Sequence, residues 1–281
     1  MTGLDSVDVA DLRRRFPRAF GQSLARRIAR WTAVLLIGAY LIYLARKLGL
    51  LSLQFIDGFS KLGVIVSSMW PPGPNSAESA HFIFIRLGET IGVAFLGTLI
   101  AALFAVPLGF LGARNVVGNP LAHFLLRRVF DFFRGMPALI WALIFARAVG
   151  LGPMTGILAF IAADFAALSK LNAEAVEGLD EKPIEGVKAA GASAIAVLRF
   201  GLLPQVLPIM VGQGLYFFES NVRAAAILGI VGAGGIGVML DEAIRFDLWR
   251  EVAFIVLLFL VIVYAIDTAS RWLRERMIGR P

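Results

Sequence analysis

Residues 174–208 read EAVEGLDEKPIEGVKAAGASAIAVLRFGLLPQVLP, a polar, helix-forming segment set between long apolar stretches. Its flanks fix its meaning. A soluble domain is roughly 45–50% apolar. This chain of 281 residues is 58% apolar with a mean hydropathy of +0.79, more apolar surface than one water-soluble core can hide. The chain therefore reads as an all-α integral membrane protein. Residues 174–208 then become a structured segment between two spans, on the side where a partner protein could grip it.

A spanning helix needs about 20 apolar residues. Trp31–Ala45 supplies the first, with Arg46 and Lys47 able to snorkel at its end. Residues 50–85 are mixed and broken by Pro71-Pro72-Gly73-Pro74, so they read as a first external loop. Thr90–Ala113 is the clearest span. Val129–Val149 and Met154–Ser169 follow, joined by a turn at 150–153. Leu202–Leu240 is long and apolar but interrupted at residues 219–223, and Val252–Ile266 gives the last span.

Charge settles the count. With six spans, the N-terminal tail, the 113–134 and 170–201 loops and the C-terminus share one side and carry 19 of the 27 Lys and Arg. Seven spans would send Arg271, Arg274, Arg276 and Arg280 outside, against the positive-inside rule. Six spans with both termini cytosolic follow, in the plasma (inner) membrane of a bacterium. Residues 224–240 are left as a re-entrant, glycine-rich element that protein or water must line. The implied layout is a basic cytosolic tail over 1–30, a first span and external loop over 31–80, a transmembrane domain over 81–270 with its cytosolic loop at 171–201, and a basic tail over 271–281. The tail at 1–30 holds seven arginines and no small-residue cleavage site, so it leads to an uncleaved first span. The excess of +7 charges fits this topology better than nucleic-acid binding. With no cysteine there is no disulfide, thiolate nucleophile or thiolate metal site.

Within the polar loop, Ala173–Lys182 and Ile184–Leu198 have helix-forming composition, with Pro183 placed to start the second helix. Glu181 and Glu185 lie one turn apart and share a face. Gly191 would cost a helix roughly 1 kcal/mol relative to Ala, which suggests a tight turn or a close backbone approach.

Glu185, Gly191, Ala192, Ser193, Leu203 and Pro204 fit the spacing of the coupling motif of ATP-binding-cassette (ABC) importer permeases, with Gly186 and Val187 replacing that motif's two alanines. RGMPALIWA at 134–142, GLGP at 150–153, ESNVRAA at 219–225 and LGIVGAGGIG at 228–237 together resemble the phosphonate-permease branch, from about residue 80 to the C-terminus. The resemblance implies the type I ABC importer fold (the MetI-like permease fold). It further implies a homodimer of this subunit, two cytosolic ATPase subunits docked on the 171–201 loops, and a periplasmic binding protein that delivers substrate. Coupling would then fall to Glu181, Glu185, Gly191, Ala192, Ser193 and Pro204. ATP and magnesium belong on the partner, so this chain binds no cofactor. In keeping with that, the sequence has no Gly-x-x-x-x-Gly-Lys-Ser/Thr phosphate loop.

Ionisable residues in spans cost about 2.5–3.5 kcal/mol and need a reason. Glu219 and Arg223 are spaced as a helical pair. They neutralise each other and fix packing, or Arg223, with Ser220 and Asn221, lines a path for an oxyanion that its planar donor fork suits, or both, with the pair opening when the pathway does. Asp164 faces a dimer axis or cytosolic water, and Arg86 and Glu89 anchor an external helix mouth. His81 and His123 are isolated and point to no metal site. Gly232, Gly234 and Gly237 satisfy the dinucleotide fingerprint, but apolar flanks and Leu257 where an acid is needed exclude it. Gly232, Gly234, Gly235 and Gly237 read instead as an external constriction or hinge.

The expected function is the membrane subunit of an ATP-driven importer for phosphonates. Alternatives are the same machinery carrying phosphite, phosphate, methionine or another small solute, or an ATP-independent secondary carrier. No internal repeat supports the carrier. No Ser-His-Asp set, metal cluster or paired carboxylates support an enzyme.

Overall fold

The computed structural model describes residues 24–50, 53–116 and 118–278, and these are helical with no strand among them. Most of the expected N-terminal tail and residues 279–281 lie outside the described residues. The chain divides into two units between Ser67 and Ser68.

The first unit holds α1 (Leu24–Lys47) and α2 (Leu53–Ser68). In α1, Trp31, Leu35, Leu36 and Tyr40 point outward, as a helix bathed in lipid requires. Helix α2 corrects the reading of 50–85 as loop. Its apolar residues are spaced around Asp57, Ser60 and Lys61, a pattern that supports a helix but not a spanning run.

The second unit begins its helices at α3 (Ala77–Gly112), which starts thirteen residues before the expected span at Thr90. Ser76 caps it by accepting from the Ser79 amide at 3.0 Å, and Pro107 sits inside it. The span expected at Val129–Val149 is two helices, α4 (Pro120–Arg134) and α5 (Ala138–Val149), bent by 82°. Gly135 and Pro137 break the ladder between them. Asn119 fixes the start of α4, accepting from Leu121 and Ala122 amides, with Pro120 in the first turn. Helix α6 (Pro153–Glu177) runs eight residues past the expected end.

The loop helices shift accordingly. Ala173–Glu177 belongs to α6. Asp180 caps α7 (Glu181–Ala189), so Pro183 is its third residue rather than its first. A short α8 (Ala194–Ala196) passes into a π-helical turn, Val197–Leu202, and then α9 (Leu203–Ile230). Residues 219–223 do not interrupt α9. The glycine-rich element is narrower than 224–240: α9 continues to Ile230, a turn follows, and α10 (Ile236–Arg245) leads to α11 (Trp249–Ile278). Residues 271–278 therefore continue a helix. Among the described residues, five helical segments are long and apolar enough to cross a membrane, six if the bent α4–α5 pair is one span.

The core is built on α3 against α6. Ala94, Ala101 and Ala105 of α3 and Ala159, Ala166 and Ala173 of α6 are all fully buried. In a membrane, where apolar side chains gain nothing by leaving lipid, small residues that allow close backbone approach hold helices together. Gly109 shows how close: a β-carbon there would lie 2.5 Å from Asn172 Cβ.

Candidate functional site

Helix α7 stands at the end of the bundle that carries Glu177. Glu181 and Glu185 are both exposed on it, and Ile184 turns inward. A β-carbon at Gly201 would meet Ile184 Cα at 3.4 Å, so the back of α7 lies on the π-helical turn. Gln205 Nε2 donates to the Gly201 carbonyl at 2.7 Å and reaches the Asp180 carbonyl at 3.5 Å. Gly191 has φ +79°, and its amide bonds the Lys188 carbonyl at 2.9 Å. It makes the tight turn that the sequence suggested, but no close approach, since a β-carbon there would meet nothing within 4 Å. Ala192 is half-buried, while Ser193 and Pro204 are exposed, and the Ser193 hydroxyl accepts from the Ala196 amide at 3.4 Å. Around this hairpin Ile195 and Phe200 leave large apolar side chains outside. Among the described residues it is a rigidly backed, partly apolar, acid-tipped surface.

The pathway candidates separate. Asn221 is buried, and its amide donates to Thr98 Oγ1 at 2.8 Å and to Asp164 Oδ2. Asp164 is buried between α3, α6 and α9, with Asn221 as its donor. Arg223 lies elsewhere. Its Nη1 is 3.7 Å from Glu219 but closer to Asp267 of α11, at 3.1 and 3.3 Å. Glu219 in turn accepts from Arg274 at 3.0 Å. The expected pair is the inner half of a four-charge ladder, Arg274–Glu219–Arg223–Asp267, that ties α9 to α11. Ser220 is half-buried beside it. The sequence held the outer half too: Asp267 stops the apolar run that ends at Ile266, and Arg274 follows two turns later.

The glycine turn is clamped. Gly232, Gly234 and Gly235 have φ of +93°, +80° and +76°. Thr90 Oγ1 accepts from the Ile236 amide at 2.7 Å, and the Gly152 amide donates to the Gly232 carbonyl at 2.8 Å. A β-carbon at Gly234 would meet Glu89 Oε1 at 2.6 Å, and one at Gly237 would meet the Ala226 carbonyl at 2.0 Å. Glu89 also accepts from Arg86 at 2.7 Å, so this helix-mouth pair reaches the turn. His123 is buried and accepts from Arg114 Nε at 3.2 Å; His81 is exposed. Among the described residues no group of three or more His, Cys, Asp or Glu could hold a metal.

Residues 105–279 match the family described as binding-protein-dependent transport system inner membrane component. The phosphate-import permease protein PhnE of Mycolicibacterium smegmatis is 35% identical over 280 residues, 99% of this chain and 52% of its own length. The chain thus spans about half of that relative. The phosphite transport system permease protein PtxC of Stutzerimonas stutzeri is 33% identical over 268 residues, 95% of each. Among solved structures, the inward facing MetNI methionine ABC transporter superposes with a TM-score of 0.63 at 20% identity, covering 72% of this chain and 99% of that one. That likeness is one of fold.

Proposed function

This chain belongs to the family of inner membrane components of binding-protein-dependent transport systems, and from that membership we propose that it carries small phosphorus oxyanions across the membrane at the expense of ATP hydrolysed by a separate subunit. The observation that carries the proposal is the α7 hairpin. Glu181 and Glu185 stand exposed on a helix whose back is fixed to the root of α9. A motor that grips the acid-tipped face moves α9 with it. A loose loop would absorb the motion.

In this reading two such chains face each other, each receiving one ATPase on its hairpin, and a periplasmic binding protein delivers cargo from the far side. ATP and magnesium sit on the ATPase. Phosphonate is the first cargo, from the motifs at 134–142, 150–153, 219–225 and 228–237. Phosphate and phosphite, which the relatives' names give, share its tetrahedral oxyanion. Arg223 would meet the anion only when the ladder opens, because in this state two carboxylates share its guanidinium. The glycine turn is a fixed lip that must move as a unit with α3.

The test is reconstitution with the cognate ATPase and binding protein. Glu185→Arg, or Gly191→Trp with its strained φ, should leave ATP hydrolysis running while uptake falls at least tenfold. Normal uptake by both variants would end the proposal.

A further inference from the structure

Helix α4 has three faces, and only two are accounted for. His123, Leu126, Phe130 and Phe133 turn toward the protein. Phe130 is 1% exposed, and Phe133 meets Phe165 of α6 at 4.9 Å between ring centroids. A second, polar edge carries Arg127, which holds Glu177 at 2.9 Å, and Asp131, which holds Lys170 at 2.6 Å. These two pairs and the ring contact lay α4 across the last three turns of α6. The third face is apolar and uncovered: Leu121 and Phe132 are each 64% exposed, with Phe124, Leu125 and Val129 between them.

We propose that α4 lies in the plane of the cytosolic leaflet, with this third face sunk into acyl chains and Arg128 drawing anionic phospholipid headgroups. Three observations favour a lipid surface over a protein as the occupant. The first is length. Helix α5 has twelve residues, about 18 Å, against a hydrocarbon core of about 30 Å. An in-plane helix sunk about 5–10 Å below the headgroups makes up much of that shortfall. A cytosolic α4 would leave α5 too short to cross. The second is continuity: the uncovered face runs on from α5, where Ile140, Leu143 and Ile144 are exposed. The third is charge. Arg128 emerges at the border of the apolar and polar faces. Its guanidinium lies 5.3 Å from the Phe124 ring centroid and 3.0 Å from Asp131. Asp131 already serves Lys170, so two cations share one carboxylate and positive charge remains. Such a side chain, its stem on apolar surface and its head at the polar edge, is a snorkelling arginine. Arg134 is exposed at the end of the same helix.

The chain has no cysteine, so single substitutions Leu121→Cys, Leu125→Cys, Val129→Cys and Phe132→Cys can carry spin labels in the full-length protein reconstituted in vesicles. Relative accessibility to oxygen and to a water-soluble nickel chelate gives depth. The four labels should sit at one depth below the headgroups. A depth that increases steadily along the helix would mean that α4 spans, and would overturn the proposal. Labels shielded from both probes would mean that a protein covers this face, and would also overturn it. For the headgroup, a fluorophore at Leu125→Cys should be quenched by brominated phosphatidylglycerol about two- to fivefold more effectively than by brominated phosphatidylcholine. Arg128→Gln should remove that preference while the depth stays. Equal quenching by both lipids in the otherwise unchanged protein would refute the anionic preference.

Discussion

Asn221 donates its amide hydrogens to Asp164 and to Thr98, and nothing else described reaches the Asp164 carboxyl. A buried acceptor stripped of its donor costs about 1–3 kcal/mol. Asn221→Leu should therefore lower the melting temperature of the detergent-solubilised protein, and Asp164→Leu in the same chain should recover part of the loss, because the orphan is then gone. An Asn221→Leu protein that melts unchanged would show the contact to be idle. The glycine turn gives a second case. At Gly235 a β-carbon would lie 2.4 Å from Thr90 Oγ1, on a backbone at φ +76°. Gly235→Ala should reduce membrane levels, and Thr90→Ala should relieve the clash but not the dihedral strain. Full rescue would mean that the dihedral is unimportant. Neither residue's surroundings could be read from spacing: Thr90 lies 146 residues from the amide it receives.

Among the elements, α9 and α11 are joined by charges that differ in exposure. Arg223 is 44% exposed at its side chain and Glu219 is 15%. Within a span no water screens these charges, and an ionisable group there costs about 2.5–3.5 kcal/mol unless it is partnered. Asp267→Asn removes one of the two carboxylates that face Arg223 and should lower the melting temperature of the detergent-solubilised protein. If the ladder opens during transport, the same variant should also change the uptake rate per folded molecule. An unchanged rate per folded molecule would leave the ladder a packing device. The junction of α7 with the π-helical turn makes the opposite prediction. At Gly201 a β-carbon alone would already touch Ile184 Cα at 3.4 Å, so the branched side chain of Gly201→Leu must push Ile184 away; ATP hydrolysis should persist with uptake lost, and coupled transport in that variant would show that α7 needs no backing. Residues 219–223 teach a further point. Their charges look like a break in an apolar run, yet α9 passes through them because its partners on α11 satisfy what lipid would not.

For the whole molecule, the decisive comparison is transport with and without the ATPase. Uptake into vesicles should require ATP, the ATPase and the binding protein together. Movement of phosphonate down an ion gradient by this chain alone would identify a secondary carrier. Binding of phosphonate, phosphite and phosphate to the cognate binding protein, measured by calorimetry, should rank the cargo, since import specificity can reside in the protein that delivers it.

Hydropathy was enough to fix an all-helical membrane protein, because lipid forbids unpaired backbone and the bilayer sets a length; the six crossings expected from the placement of Lys and Arg are matched only when the bent α4–α5 pair counts as one. The spacing from Glu185 to Pro204 located the hairpin for a similar reason: it is local, and turn chemistry at Asp180 and Gly191 is written in adjacent residues. What folding alone decided was which distant residues meet. The Asn221–Asp164–Thr98 contact and the partners of Glu219 and Arg223 arise where helices cross, and a crossing is set by side-chain volumes on two segments far apart in the chain rather than by any periodicity within one.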